Sequence, residues 1–331
     1  LSFYLQRRKK LKKNVHLSRL IPDASHSNWV DRFCPFWSKP YLKLSRFDRP
    51  IGTWLLLLPC WWGSCLAIWS RNADLNLSDY WIILACIIGS IFMRGAGCTW
   101  NDIHDQEFDL KVARTKLRPL PSGQVTKKQA LIWMLAQMIL SFFILLTFNS
   151  FAIIVGILSL IPVAIYPFAK RFTWWPQFFL GICFNWGILV SFAAHNNNLE
   201  KSALILYAAG IFWTLFYDTI YAFQDVDDDE LIGLKSTALL FKNNAKYWLA
   251  GFASISFILI EISFSQSLRV HIISNTIIVV GAFIFYLHLL WQLWKFNSND
   301  SNECLRLFKS NKTAGNIIVI FTTLAITASY V

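Results

Sequence analysis

The stretch IIGSIFMRGAGCTWNDIHDQEFD, residues 87–109, runs from an apolar segment straight into a cluster of acids. Its first part reads as the end of a membrane-embedded helix. Its last nine residues hold three aspartates and one glutamate. Charge at that place is costly unless a cation or a ligand compensates it. The whole stretch predicts a helix that crosses an apolar layer and opens on a polar mouth.

The rest of the chain agrees. It has 331 residues, 55% hydrophobic and 15% charged, with a mean hydropathy of +0.44. A soluble domain carries about 25% charged residues, so a polytopic membrane protein is expected. Apolar stretches of membrane-spanning length fall near residues 51–70, 80–100, 129–148, 150–168, 176–194, 203–222, 245–264, 271–293 and 314–331. The fold class expected is therefore all-α, with nine transmembrane helices. The fourth span contains Pro162 and Pro167 and is expected to bend. The third and fourth meet at Phe148-Asn149-Ser150, which demands a tight turn.

Nine spans put alternate connections on opposite sides. One side then holds 27 of the 31 Lys and Arg residues; the other holds Arg71, Lys201 and Arg269, and Arg94 lies inside the second span. That bias makes the first side cytoplasmic, or matrix in a mitochondrion. Residues 1–48 read as a basic cytoplasmic tail that binds anionic lipid. Residues 49–331 read as one membrane domain: two four-helix halves, about 49–170 and 171–295, and a ninth helix. The net charge of +12 is explained by these loops, so no nucleic acid is implied. The seven cysteines are scattered, without CxxC spacing, and read as packing residues.

If the second helix continues through the acids, Asn101, Asp105 and Asp109 stand at i, i+4 and i+8 and form one stripe, with Asp102 at its border. These oxygens suit a hard divalent cation. Mg2+ uses one or two carboxylates plus substrate phosphate oxygens. A second cluster, YDTIYAFQDVDDDE at 217–230, follows the sixth span on the same side. Asp225 and Asp229 are again i, i+4. Asp218, seven residues earlier, is expected two helical turns away on the same face.

Basic residues follow both clusters. Lys111, Arg114, Lys116 and Arg118 come after the first, and Lys235-Ser236-Thr237 after the second. Carboxylates that hold a cation, beside Arg and Lys that meet phosphate oxygens, are an electrostatic solution for a leaving diphosphate. No GxxxxGK[ST] is present, so a P-loop is not indicated. A cation pathway is a competing reading, but these carboxylates sit at helix ends rather than mid-membrane.

These residues resemble the UbiA superfamily of intramembrane aromatic prenyltransferases, in particular its 4-hydroxybenzoate branch in ubiquinone biosynthesis. The NDxxDxxxD signature stands as Asn101, Asp102, Asp105 and Asp109, and DxxxD as Asp225 and Asp229. RFDRPIGTWLLLLPCWWG (46–63), RGAGCTWND (94–102), RTKLRPLPSG (114–123), YPFAKRFTWWPQ (166–177) and IGLKSTALLF (232–241) carry the rest of the likeness. FKNN at 241–244 departs from it, since Gly usually follows that Phe.

The resemblance implies nine helices around a central cavity and Mg2+ dependence. It implies transfer of a polyprenyl chain from its diphosphate to 4-hydroxybenzoate, ortho to the hydroxyl. Naphthoate, homogentisate and porphyrin are the alternative acceptors. Asn101, Asp102, Asp105, Asp109, Asp225 and Asp229 are the expected metal ligands. Arg114, Arg118, Lys111 and Lys235 would neutralise the diphosphate. The acceptor's carboxylate needs a cation, from Arg49, Arg94, Lys170 or Arg171, and an Arg inside a span is costly without a partner. Asp218 and Tyr221 are expected to line the substrate. Asp225 is the expected base, and Asp105, Asp225 and Arg94 the catalytic residues. The Lys-rich start favours a bacterial inner membrane, with the mitochondrial inner membrane as the alternative. Membrane lipids and other enzymes of ubiquinone biosynthesis are the expected partners.

Overall fold

The computed structural model describes residues 28–71, 75–112, 115–266 and 272–329, and every regular element among them is helical. Two short helices come first, Trp29–Phe33 (α1) and Lys39–Leu44 (α2). Then follow Ile51–Arg71 (α3), Leu77–Asp109 (α4), Lys127–Leu145 (α5), Ser150–Leu158 (α6), Leu160–Phe172 (α7), Pro176–Asn196 (α8) and Lys201–Ala222 (α9). Val226–Ile232 (α10), Thr237–Phe241 (α11), Ala245–Ser265 (α12), Ile272–Lys295 (α13) and Ser301–Ala328 (α14) complete the chain. Among the described residues eight stretches are long and apolar enough to cross a membrane: α3, α4, α5, α6 with α7, α8, α9, α11 with α12, and α13. The apolar stretch expected as a ninth span lies in the C-terminal part of α14. Each expected span thus coincides with helix.

Local chemistry sets the breaks. The fourth span divides at Ser159, three residues before Pro162. Proline has no N–H to give the carbonyl four residues back and its ring crowds that carbonyl. The tight turn before α6 is made by Asn149. Its Oδ1 accepts from the Ala152 N–H at 2.9 Å, and its Nδ2 donates to the carbonyls of Ala193 and Ala194 at 2.8 and 2.9 Å. One side chain therefore caps α6 and ties it to the end of α8.

Contacts divide the chain into two compact units, Leu1–Pro50 with Gly95–Gln137, and Ile51–Arg94 with Met138–Val331. In the larger unit α3, α8, α9, α12, α13 and α14 pack each on the next, and α14 packs back on α3. Lipid is as apolar as the helix surfaces, so such packing depends on close approach and internal hydrogen bonds. Gly63 lets α3 lie against α8, where a Cβ would run into Ile188 and Ser191. The indoles of Trp62 and Trp213 stack with centroids 4.8 Å apart. Their N–H groups donate to the Gly315 carbonyl and to Asn311 Oδ1, both at 2.9 Å. Bonds of this kind inside membrane bundles average about 0.6 kcal/mol, enough in number to fix the register of α14. At the start of α4, far along that helix from its acidic end, Asp79 accepts from Arg71 at 2.8 Å and meets His195 Nδ1 at 2.7 Å.

The smaller unit holds α1, α2, the end of α4 and the start of α5. Leu44, Leu120, Val125 and Ala130 form its apolar centre, with Tyr41, Ile103 and Trp133 packed on it. Beside them Ser45 Oγ accepts from Trp133 Nε1 at 2.8 Å and donates to Gln137 Oε1 at 3.0 Å. This polar contact requires Gly95, because a Cβ there would overlap the Gln137 amide.

Candidate active site

In the smaller unit α4 stays helical through Asp109, so Asn101, Asp105 and Asp109 do share a face. Asn101 Nδ2 donates to Asp105 Oδ2 at 2.8 Å. Asp109 is gripped from the following loop. Arg118 Nη1 donates to its two carboxylate oxygens at 3.0 and 2.9 Å, and Thr115 Oγ1 donates to its carbonyl at 2.8 Å. Asp105 and Asp109 are almost fully buried, at 1% and 6% exposure. His104 Nδ1 lies 2.9 Å from the Trp100 carbonyl.

Asp102 is fully buried. Arg46 Nη2 donates to it at 2.5 Å, and Arg118 Nη1 stands 3.5 Å away. Arg46 was absent from the expected site residues. Its backbone explains its importance. The Phe47 N–H returns to the Leu42 carbonyl and the Arg46 N–H to the Lys43 carbonyl, which is the hydrogen-bond pattern of a Schellman helix end. That pattern needs a left-handed residue, normally Gly; here Arg46 takes it, at φ 61°. A left-handed residue other than Gly costs on the order of 1–2 kcal/mol. The side chain returns this by donating to the carbonyls of Lys43 and Leu44 and to Asp102. Burial works against its charge, but the Asp102 carboxylate outweighs that and holds the guanidinium above its usual range. Arg46 opens the RFDRPIG stretch, yet its partner lies 56 residues away, and no local pattern announces that pair. Two residues on, Asp48 is buried with Arg49 Nε 3.8 Å from it.

Lys111 and Lys116 are exposed. Arg114 lies outside the described residues.

In the larger unit α9 stops at Ala222, and a turn through Phe223 and Gln224 leads to Asp225. Asp218 and Asp225 are therefore not two turns apart on one helix; the helix end intervenes. Asp225 precedes α10 as its cap residue, and the Asp229 N–H donates to its carbonyl at 2.8 Å. Gly233, at φ 72°, ends α10, and the Leu234 N–H closes on the Asp229 carbonyl at 2.9 Å. The chain then pairs with the end of α7, where the Lys235 N–H donates to the Lys170 carbonyl at 3.0 Å. Lys235 Nζ reaches the Phe172 carbonyl at 3.4 Å, and Arg171 lies over Phe168. The expected hydroxyls next to Lys235 are engaged in structure: Ser236 caps α11, and Thr237 Oγ1 bonds Thr219 at 2.7 Å.

Arg94 lies 5.2 Å over the Phe184 ring. Its guanidinium would meet any Cβ at Gly52 at 2.5 Å. It forms no ion pair within 4 Å among the described residues, and its Nε is buried without a hydrogen-bond partner. Asp218 is near enough to interact with it electrostatically. Tyr221 packs its ring on Phe308, centroids 4.4 Å apart.

The class defined by this architecture is an all-helical, multi-pass membrane protein. Residues 56–317 match the UbiA prenyltransferase family, and the chain belongs to that family. It is 42% identical to the mitochondrial 4-hydroxybenzoate polyprenyltransferase of Arabidopsis thaliana, across 89% of this chain and 70% of that one. The rat protein of the same name is 42% identical, across 85% and 73%. Among solved structures, a UbiA homolog from Aeropyrum pernix K1 has the same fold, with a TM-score of 0.67 at 21% identity over 84% of this chain and 98% of that one. A UbiA homolog from Archaeoglobus fulgidus bound to DMAPP and Mg2+ gives 0.63 at 19% identity, over 87% and 99%.

Proposed function

We propose that this enzyme transfers a polyprenyl chain from polyprenyl diphosphate to 4-hydroxybenzoate, giving 3-polyprenyl-4-hydroxybenzoate and diphosphate. The observation that carries the reading is 42% identity, over nearly nine tenths of the chain, to proteins of that name.

The donor set fits a hard divalent cation of the Mg2+ kind. Asn101, Asp105 and Asp109 offer oxygen on one helix face, and Asp225 and Asp229 offer two more carboxylates. Among the described residues no three His, Cys, Asp or Glu side chains form a ready cage. Mg2+ takes one or two carboxylates and completes its shell with substrate phosphate oxygens and water. When bound, such an ion supplies charge neutralisation to the departing diphosphate. Asp102, paired with Arg46, supports the motif. Arg118, Lys111, Arg114 and Lys235 take the remaining phosphate charge.

Arg94, with no ion pair among the described residues, binds the acceptor's carboxylate; Arg49, Lys170 and Arg171 are the other candidates. The allylic C–O bond breaks with its electron pair leaving on diphosphate. The ring carbon ortho to the hydroxyl forms the new C–C bond as Asp225, the base, takes the phenolic proton. That carbon's own proton is then lost to restore the aromatic ring while the oxygen regains one, so one proton net is released with diphosphate. Asp218 and Tyr221 line the acceptor. The mitochondrial relatives favour the mitochondrial inner membrane over a bacterial one.

The test is incubation of membranes holding the chain with labelled polyprenyl diphosphate and 4-hydroxybenzoate. A labelled prenylated acid is expected. Product only with a naphthoate, homogentisate or porphyrin acceptor would replace the acceptor, and no product with any of them would overturn the reading.

A further inference from the structure

Four large aromatic side chains stand out from the smaller unit within nine residues: Trp29, Phe33, Phe36 and Trp37. Phe33, Phe36 and Trp37 are 71%, 79% and 74% exposed. These rings are not on a loose chain. Asn28 caps α1 through the Asp31 N–H at 2.9 Å. Lys43 Nζ meets the Asp31 carboxylate at 2.7 Å, and Lys39 Nζ donates to the Asp31 carbonyl at 2.7 Å. Trp29 Nε1 donates to the Phe47 carbonyl at 2.8 Å, and Val30 is fully buried. The inward side of the segment is satisfied, and the rings are held outward by construction.

We propose that residues 29–37 form a foot that inserts into the headgroup–acyl boundary of an anionic bilayer. Three observations select lipid as the occupant. First, the foot is built onto the entry of a membrane span. Tyr41 of α2 packs on Trp133 of α5, centroids 5.6 Å apart, and Ser45 joins Trp133 and Gln137 of the same span. Second, the composition is that of an interface: Trp and Phe with a cation beside them. Arg32 lies 5.1 Å over the Phe33 ring, and amphipathic rings with Lys or Arg settle at the headgroup level. Third, charge is complementary. The first 50 residues carry 12 Lys and Arg against three Asp, and basic segments next to a membrane are drawn to anionic headgroups. The chain enters its first span at Ile51, 14 residues after Trp37, so the bilayer is always within tether reach. None of this rests on the transferase reading.

The experiment replaces Phe36 in the full chain with the photo-reactive benzoyl-phenylalanine, a change of small consequence for an outward ring. Asn299, exposed and polar, carries the same probe in a control. Both proteins are placed in vesicles of equal parts phosphatidylcholine and phosphatidylglycerol and irradiated. Lipid adducts at position 36, several-fold above those at 299, are expected by mass spectrometry. A cross-link to a second polypeptide, whether another copy or a different protein, would overturn the proposal. So would lipid adducts no more frequent than at 299.

Discussion

A single nitrogen, Nη1 of Arg118, donates to both carboxylate oxygens of Asp109, at 3.0 and 2.9 Å, and stands 3.5 Å from Asp102. One guanidinium therefore faces two of the four residues of the acidic signature. Its Nε is buried without a hydrogen-bond partner among the described residues, and Arg presents five donors in all. Arg118→Ala is expected to weaken polyprenyl diphosphate binding by roughly ten- to a hundredfold, because a hydrogen bond to a charged group is worth about 1.5–3 kcal/mol. Steady-state kinetics read this as a raised donor KM. An unchanged KM would remove Arg118 from the diphosphate site.

The pair of Arg46 and Asp102 is buried, and breaking it from one side leaves a carboxylate without its main partner. Arg46→Met is expected to lower thermal stability in detergent by up to about 3–5 kcal/mol, with Arg118 at 3.5 Å holding the loss to the lower part of that range. The double variant Arg46→Met with Asp102→Leu should regain most of it, since an apolar pair of similar volume carries no unpaired charge. If the double variant is no more stable than the single one, the ion pair is not what the fold requires.

Arg94→Ala should raise the KM for 4-hydroxybenzoate and leave the donor KM nearly unchanged. The guanidinium has no ion pair among the described residues and packs on Phe184, so the helices should tolerate its loss. A shift in the donor KM alone would reassign Arg94 to the diphosphate.

Chelation by EDTA should stop transfer, and added Mg2+ should restore it. Asp105→Ala and Asp229→Ala should each abolish turnover while circular dichroism still shows a folded helical protein. Full activity in both variants would refute the metal reading of the two motifs.

Much of the molecule was legible in the sequence. Eight of the nine expected spans are helices long and apolar enough to cross a membrane among the described residues, and the stretch expected as the ninth is helical in α14; apolar length marks them because every backbone group in lipid must be bonded within its own segment. The bend at the fourth span follows from proline chemistry. Continuation of α4 to Asp109 was assumed from spacing, and the helix does run on. The second cluster was harder. Nothing in Asp218-to-Asp225 spacing reveals that α9 stops at Ala222, because that stop depends on how Phe223 to Asp225 turn into α10.

The sequence by itself determined the class of fold, the placement of the apolar helices and the two acid-rich motifs with the basic residues that follow them. These depend on hydropathy and on neighbours a few residues apart. Only tertiary structure decided which cation each acid meets. Arg46 reaches Asp102 from 56 residues away through a left-handed helix end. Arg94 is left beside Phe184 without an ion pair among the described residues. The physical reason is the same in both cases. Inside a low-dielectric bundle the energy of a charge depends on the few ångströms around it, and those are filled by residues the chain brings from elsewhere.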